Sequence, residues 1–150
     1  MPEVTGFDHV YLAVSDLAVS ERFYDRVLLD VLQFRRNNFG LGGEPHVQYF
    51  NRHFGIVLRP ARLATAHAPH APGLHHLCLR VESEADVRAA AVQLRALGID
   101  ATDAKVFPEY APDYVATFFA DPDGIRLEIT NFRAERRWRL EHWDSPEPPP

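Results

Sequence analysis

The chain has 150 residues, 46% of them hydrophobic and 25% charged, with a formal net charge of −5. These are the proportions of an ordinary globular protein long enough to bury a sizeable core, and no apolar run reaches the roughly 20 residues that span a bilayer. The acidic balance argues against a dedicated nucleic-acid binder, and a lone cysteine, Cys78, excludes an internal disulfide framework.

The first segment, Phe7 to Val14, reads as a strand in which Val10, Leu12 and Val14 alternate with His9, Tyr11 and Ala13. Leu17 to Leu32 has helical spacing: Phe23, Val27 and Val31 recur every four residues, as do Tyr24, Leu28 and Leu32, and Asp16 is placed to cap the first turn. Phe34 to Phe39 is a weak, polar edge strand, and the Gly40 to Pro45 stretch breaks the chain. Val47 to Asn51 and Gly55 to Arg59 then form a hairpin. Residues 61–73 are rich in Ala, Pro and His without any period and read as a linker.

The pattern then restarts. Leu77, Leu79 and Val81 alternate with His76, Cys78 and Arg80, and Ser83 with Asp86 makes a capping-box signature. Val87, Ala91 and Leu94 supply the apolar face of a second helix that stops at Gly98. Tyr114 to Ala120 and Ile125 to Asn131 are strands joined by the Asp-Pro-Asp-Gly turn at Asp121 to Gly124. From Arg133 onward the chain is a charged tail that ends in Pro148, Pro149 and Pro150, where disorder is expected.

This is an internal duplication. His9-Val-Tyr-Leu-Ala-Val matches His76-Leu-Cys-Leu-Arg-Val at an offset of 67 residues (76 − 9), and Gly55-Ile-Val-Leu-Arg59 matches Gly124-Ile-Arg-Leu-Glu128. Each half reads strand, helix, strand, strand, strand. The expected fold is therefore α+β: one domain over residues 1–132, made of two βαβββ modules (about 5–60 and 74–132) whose mixed sheets form a cup with the helices outside.

Strand alternation decides what lines the open face. With Leu12, Val14, Leu77, Leu79, Ile125, Leu127 and Ile129 packed under helices, His9, His76 and Glu128 point the other way, as do Arg126 and Thr130. The same parity puts His75 on the packed side. Two imidazoles and one carboxylate converging on a concave surface form a facial triad. Such a set suits one divalent ion (Fe, Zn, Ni, Co or Mn) with coordination positions left open. The competing reading leaves the histidines structural.

At these residues the sequence resembles the vicinal oxygen chelate superfamily, which includes glyoxalase I, bleomycin- and fosfomycin-resistance proteins, methylmalonyl-CoA epimerase and extradiol dioxygenases. The resemblance is carried by His9 ahead of its apolar alternation, Phe23-Tyr24, His76, and Asp121-Pro-Asp-Gly-Ile-Arg-Leu-Glu128, and covers residues 5 to 132. It implies that His9, His76 and Glu128 hold the metal and that a small substrate chelates it through two neighbouring oxygens. The implied chemistry is lyase or isomerase work, or ring-cleaving dioxygenation, and the implied assembly a homodimer. One departure stands out. The sequence match sets Arg59 in the first-half place of Glu128, where glyoxalase I carries a ligating glutamate, and a permanently cationic arginine there repels a metal. Arg59 either pairs with Glu128 or binds an anionic substrate group.

Five further residues complete the expected site. Gln48 and Tyr11 face the cup, Gln48 as a weak ligand or substrate contact. Glu109 and Tyr110, in the irregular stretch before the last hairpin, are candidates for proton transfer, Glu128 being the third catalytic candidate. Arg126 faces inward, either to attract an anionic substrate or to lie at the rim in water. The alternative to an enzyme is a metal-free protein that sequesters an aromatic or cationic ligand, in the manner of bleomycin resistance. Neither basic cluster nor signal-like stretch opens the sequence, so the expected location is the cytoplasm, with no membrane or nucleic-acid partner.

Overall fold

A computed structural model describes residues 1–145; the disorder expected at Pro148 to Pro150 lies outside the described residues. The chain forms two compact units, Met1–Ala68 with Asp121–Gly124, and Pro69–Ala120 with the described chain from Ile125 onward. Each carries a four-stranded mixed sheet with helices, so the α+β class and the duplicated strand–helix–three-strand order are those the sequence indicated.

In the first unit β1 (His9–Val14) runs parallel to β4 (Gly55–Pro60), β3 (Glu44–Phe50) is antiparallel to β4, and β2 (Arg35–Leu41) is the edge beside β3. The polar edge is as expected, but Gly40 to Pro45 does not break the pairing. Gly42 and Gly43, at φ 60° and 80°, turn the chain tightly enough that β3 begins at Glu44. Leu12 and Val14 are buried while His9, Tyr11 and Ala13 are exposed, the alternation read from the sequence.

The first helix is α1 (Leu17–Tyr24), and the Asp16 carboxylate accepts from the Val19 amide at 2.9 Å. It does not continue as an α-helix to Leu32. Asp25–Val31 widens to a π-helix, with Leu32 N bonded back to Val27 O, and Gln33 at φ 57° ends it. Phe23 and Tyr24 of α1 and Val27 and Leu28 of the wider turn are all buried. The Asp121–Gly124 turn groups with this unit because the Tyr24 hydroxyl donates to Asp121 Oδ2 at 3.0 Å and the Ser15 amide to Asp123 Oδ2 at 2.9 Å.

The second unit repeats the arrangement: β5 (His76–Val81) parallel to β8 (Arg126–Asn131), β7 (Val115–Ala120) antiparallel to β8, and the two-residue β6 (Lys105–Val106) at the edge. Its helix α2 (Glu84–Ala96) starts at a capping box: Ser83 Oγ accepts from the Asp86 amide at 3.2 Å, and Asp86 Oδ2 accepts from the Ser83 amide at 2.9 Å. Val87, Ala90, Ala91 and Leu94 are buried where α2 packs on β7 and β8, and Gly98 at φ 76° releases the chain.

The charged tail holds an element the sequence pattern did not announce, the helix α3 (Ala134–Glu141). Its first amide, Ala134 N, donates to Asp113 Oδ2 at 2.8 Å, and Arg137 pairs with Glu82 at 2.8 Å. Polar anchoring rather than an apolar stripe fixes it, which is why periodicity was silent. Trp138 stacks on His142 and Trp143 stays exposed.

Candidate active site

The second unit carries a cavity of about 800 Å³ on the open face of its sheet. Strand parity builds its floor. His76 is cross-strand from Arg126, Cys78 from Glu128, and Glu128 from Phe118, so all five side chains share one face. Tyr110 and Tyr114, from the segment ahead of β7, form a wall.

Glu128 is the buried acid of this face, its side chain 5% exposed. The Tyr114 hydroxyl donates to Oε1 at 2.5 Å, while Oε2 stands 3.5 Å from His76 Nε2. Burial, followed by the bond to Glu128, pushes the Tyr114 phenol above its ordinary range, so it stays a donor. Partial desolvation and then the charge of Glu128 push the Cys78 thiol up to about 12, which makes it a poor nucleophile.

His75 is where parity misleads. It is exposed and lines the cavity rather than the packed side, with Nδ1 2.8 Å from His76 Nδ1. It lies just before β5 begins, where the pleat does not yet dictate direction. Desolvation, then His76 and Arg126, hold its imidazole below the usual value.

Two donor atoms about 2.1 Å from a shared ion, at tetrahedral or right angles, stand roughly 3.0–3.4 Å apart. His76 Nε2 and Glu128 Oε2 fit that spacing to within a small rotation. Among the described residues no group of three or more His, Cys, Asp or Glu side chains is gathered to hold a metal ion.

His9 occupies the equivalent place in the first unit, beside Gln48 in a smaller cavity of about 270 Å³. Asp8 Oδ2 lies 2.6 Å from His9 Nδ1, which fixes the ring and leaves Nε2 free. An acid directly before the histidine was a visible signal that the sequence reading passed over. Tyr11 stands edge-on to His9 at 5.3 Å.

Arg59 is not the counterpart of Glu128. Gly55 is a strand residue bridged to His9, whereas Gly124 sits in a turn at φ 82°, so the shared Gly-Ile-x-Leu pattern aligns unlike positions. By the ladders, Gln48 faces Val57 as Phe118 faces Glu128, and Val57 takes the acid's place. Arg59 is engaged by Glu44, which also accepts from Arg62 Nε at 2.9 Å. Of the proton-transfer candidates, Tyr110 lines the cavity; Glu109 is exposed and is not part of its wall. Phe118, Asp100 and Thr102 line it as well, and the register of β7 is the signal that could have revealed Phe118.

The sequence pattern of the Glyoxalase/Bleomycin resistance protein/Dioxygenase superfamily matches residues 6–129. The chain belongs to that superfamily. A relative in Escherichia coli (strain K12), the uncharacterized protein YaeR, is 30% identical over 130 residues, 81% of this chain and 92% of that one. The crystal structure of a glyoxylase/bleomycin resistance protein/dioxygenase domain from Frankia sp. EAN1pec superposes with a TM-score of 0.71 at 26% identity, covering 87% of this chain and 100% of the other. Lactoylglutathione lyase from Agrobacterium tumefaciens shares the fold at a TM-score of 0.58 and 20% identity, covering 87% of this chain and 94% of the lyase. None of the helices over the described residues is long and apolar enough to cross a membrane.

Proposed function

We propose that the chain is a metal-dependent enzyme acting on a small substrate that chelates one divalent ion through adjacent oxygens, by lyase/isomerase or extradiol-type dioxygenase chemistry. The observation that carries this reading is the approach of His76 Nε2 to the buried, half-satisfied carboxylate of Glu128 beside a cavity of substrate size. His9, His76 and Glu128 are the proposed ligands, and the bound ion (Fe, Zn, Ni, Co or Mn) would supply Lewis acidity and open coordination positions.

The chain's own side chains have separate tasks in this proposal. Tyr114 holds Glu128 by one oxygen and leaves the other to face the cavity. Tyr110 moves a proton at the cavity wall, and Glu109 joins it only if the 107–114 segment shifts inward. Arg126 attracts the substrate, while Tyr11 and Gln48 border His9. A cytoplasmic homodimer completes the reading and rests on family membership alone. The second reading, sequestration of a ligand without chemistry, is favoured by the aromatic wall of Tyr110, Tyr114 and Phe118.

Elemental analysis after purification without chelators tests the first reading. About one equivalent of a divalent metal is expected in the wild type, and a loss in His76→Ala and Glu128→Gln. A panel of ketoaldehydes, acyl-CoA thioesters and catechols then sorts the reaction. A protein that takes up none of Fe(II), Zn, Ni, Co or Mn rules the metal enzyme out. Retained ligand affinity in His76→Ala without turnover of any panel member supports sequestration.

A further inference from the structure

The cavity of the second unit has a chemical polarity of its own. Tyr110, Tyr114 and Phe118 line it, and their rings form a continuous set with Phe107: Phe107 stacks on Tyr110 at 5.9 Å, meets Phe118 edge-on at 5.3 Å, and Tyr110 meets Tyr114 at 5.3 Å. Tyr110 is 63% exposed, a large ring held at the cavity without being buried. An aromatic edge of this kind gains contact area from a flat partner at little entropic cost.

Arg126 brings a cation to the same lining, its guanidinium 3.5 Å from His75 Nε2. Arg88, Arg95, Arg137 and Arg139 of this unit are paired with Glu84, Asp103, Glu82 and Glu135, whereas Arg80, outside the cavity lining, is instead covered by the Phe132 ring at 4.1 Å. Arg126 has no carboxylate partner among the described residues, although its fork geometry suits one. Ala120, cross-strand from Arg126 on the same face, adds only a methyl group beside the guanidinium's strand position. Asp100 also lines the cavity and disfavours a second negative charge on the ligand.

We infer that this cavity takes a planar aromatic ligand bearing a single anionic group, its ring against Tyr110 and Phe118 and its anion on Arg126. The inference deepens the proposed function, on which it rests for the cavity's role as the substrate site. Arg126 is then the specificity-determining residue, choosing acids over neutral isosteres.

Calorimetric titration of the full chain with trans-cinnamate and with trans-cinnamamide, the neutral isostere, tests it. The wild type should bind the acid more tightly than the amide. Arg126→Gln should weaken cinnamate about 10-fold or more and leave cinnamamide within roughly 2-fold, the loss of one charge-assisted contact. Tyr110→Ala should weaken both by about the same factor, roughly 2- to 10-fold. Circular dichroism of both variants, whose side chains are exposed, confirms that they fold. Equal affinity for the acid and the amide, an Arg126→Gln variant that weakens both alike, or no binding of either at millimolar concentration overturns the inference. Running the titrations on chelator-treated and metal-supplemented protein keeps the two proposals apart. Cinnamate binding without any metal uptake leaves this inference standing and removes the metal enzyme; metal uptake without cinnamate binding does the reverse.

Discussion

Replacing Tyr114 by Phe removes a single oxygen and isolates the contact that holds the buried acid. The hydroxyl donates to Glu128 Oε1 at 2.5 Å, and the carboxylate it serves is 5% exposed, so water cannot readily take its place. The ring itself should stay, because the Arg133 guanidinium packs 4.8 Å from its centroid and a phenyl group keeps that contact. A hydrogen bond to a charged group is worth about 1.5–3 kcal/mol, and a buried carboxylate left short of a donor loses that amount. Urea unfolding of the metal-free protein should therefore show a midpoint lower by roughly 1 M with an unchanged slope. If Glu128 is a ligand, the loss of its orienting partner should also weaken metal affinity about 10- to 100-fold, read by competition with a chromophoric chelator. A variant whose stability stays within about 0.5 kcal/mol of the wild type and whose metal affinity is unchanged refutes the reasoning, because small surface changes give shifts of that size.

Leu94→Ala, in the α2 face that is fully buried, should cost about 2–5 kcal/mol of unfolding free energy in the same urea assay; a loss below 1 kcal/mol would mean that the α2 packing is not the core of the second unit. Glu44→Gln should lower the melting temperature most at neutral pH. The bond from Arg62, then the charge of Arg59, hold the Glu44 carboxyl below the ordinary carboxylate range, so its contribution is complete above that range and fades as pH falls through the lowered folded value. The wild-type and variant melting curves should converge in acid and in high salt, and a gap that persists at pH 2 contradicts an electrostatic origin.

Much of this arrangement could be read from alternation alone. The parity of the first and fifth strands, the capping box at Ser83, and the sharing of one face by His76, Arg126 and Glu128 follow from a period of two and a short helix signature. What escaped has a physical reason in each case. The π-helical stretch keeps the apolar spacing of an α-helix, so periodicity alone does not distinguish the two. The helix α3 is fixed by Asp113 and Glu82, which lie 21 and 55 residues away in sequence from the groups they hold. The wall of Phe118 against Glu128 depends on the register between β7 and β8, which a one-residue change of turn would reverse.

The misplacement of Arg59 leads to the asymmetry between the two modules. The first-unit ladder gives Val57 the place of Glu128, Gly55 the place of Arg126 and Gln48 the place of Phe118. Val57 is 2% exposed, so a carboxylate there would need a buried donor as Glu128 needs Tyr114. Counting along the matching strands, the residue at the Tyr114 position is Glu44, itself an acid, which is satisfied by Arg59 and Arg62. An acidic pair at those two positions would repel. The first module thus keeps the histidine of the duplicated pattern and has lost the means to hold a buried acid beside it. The second keeps histidine, acid and donor together, and adds the arginine and aromatic wall that a ligand would meet. The duplication supplied the scaffold twice, but the chemistry of a carboxylate site is concentrated in one copy, because only there do the charge, the donor and the open face coincide.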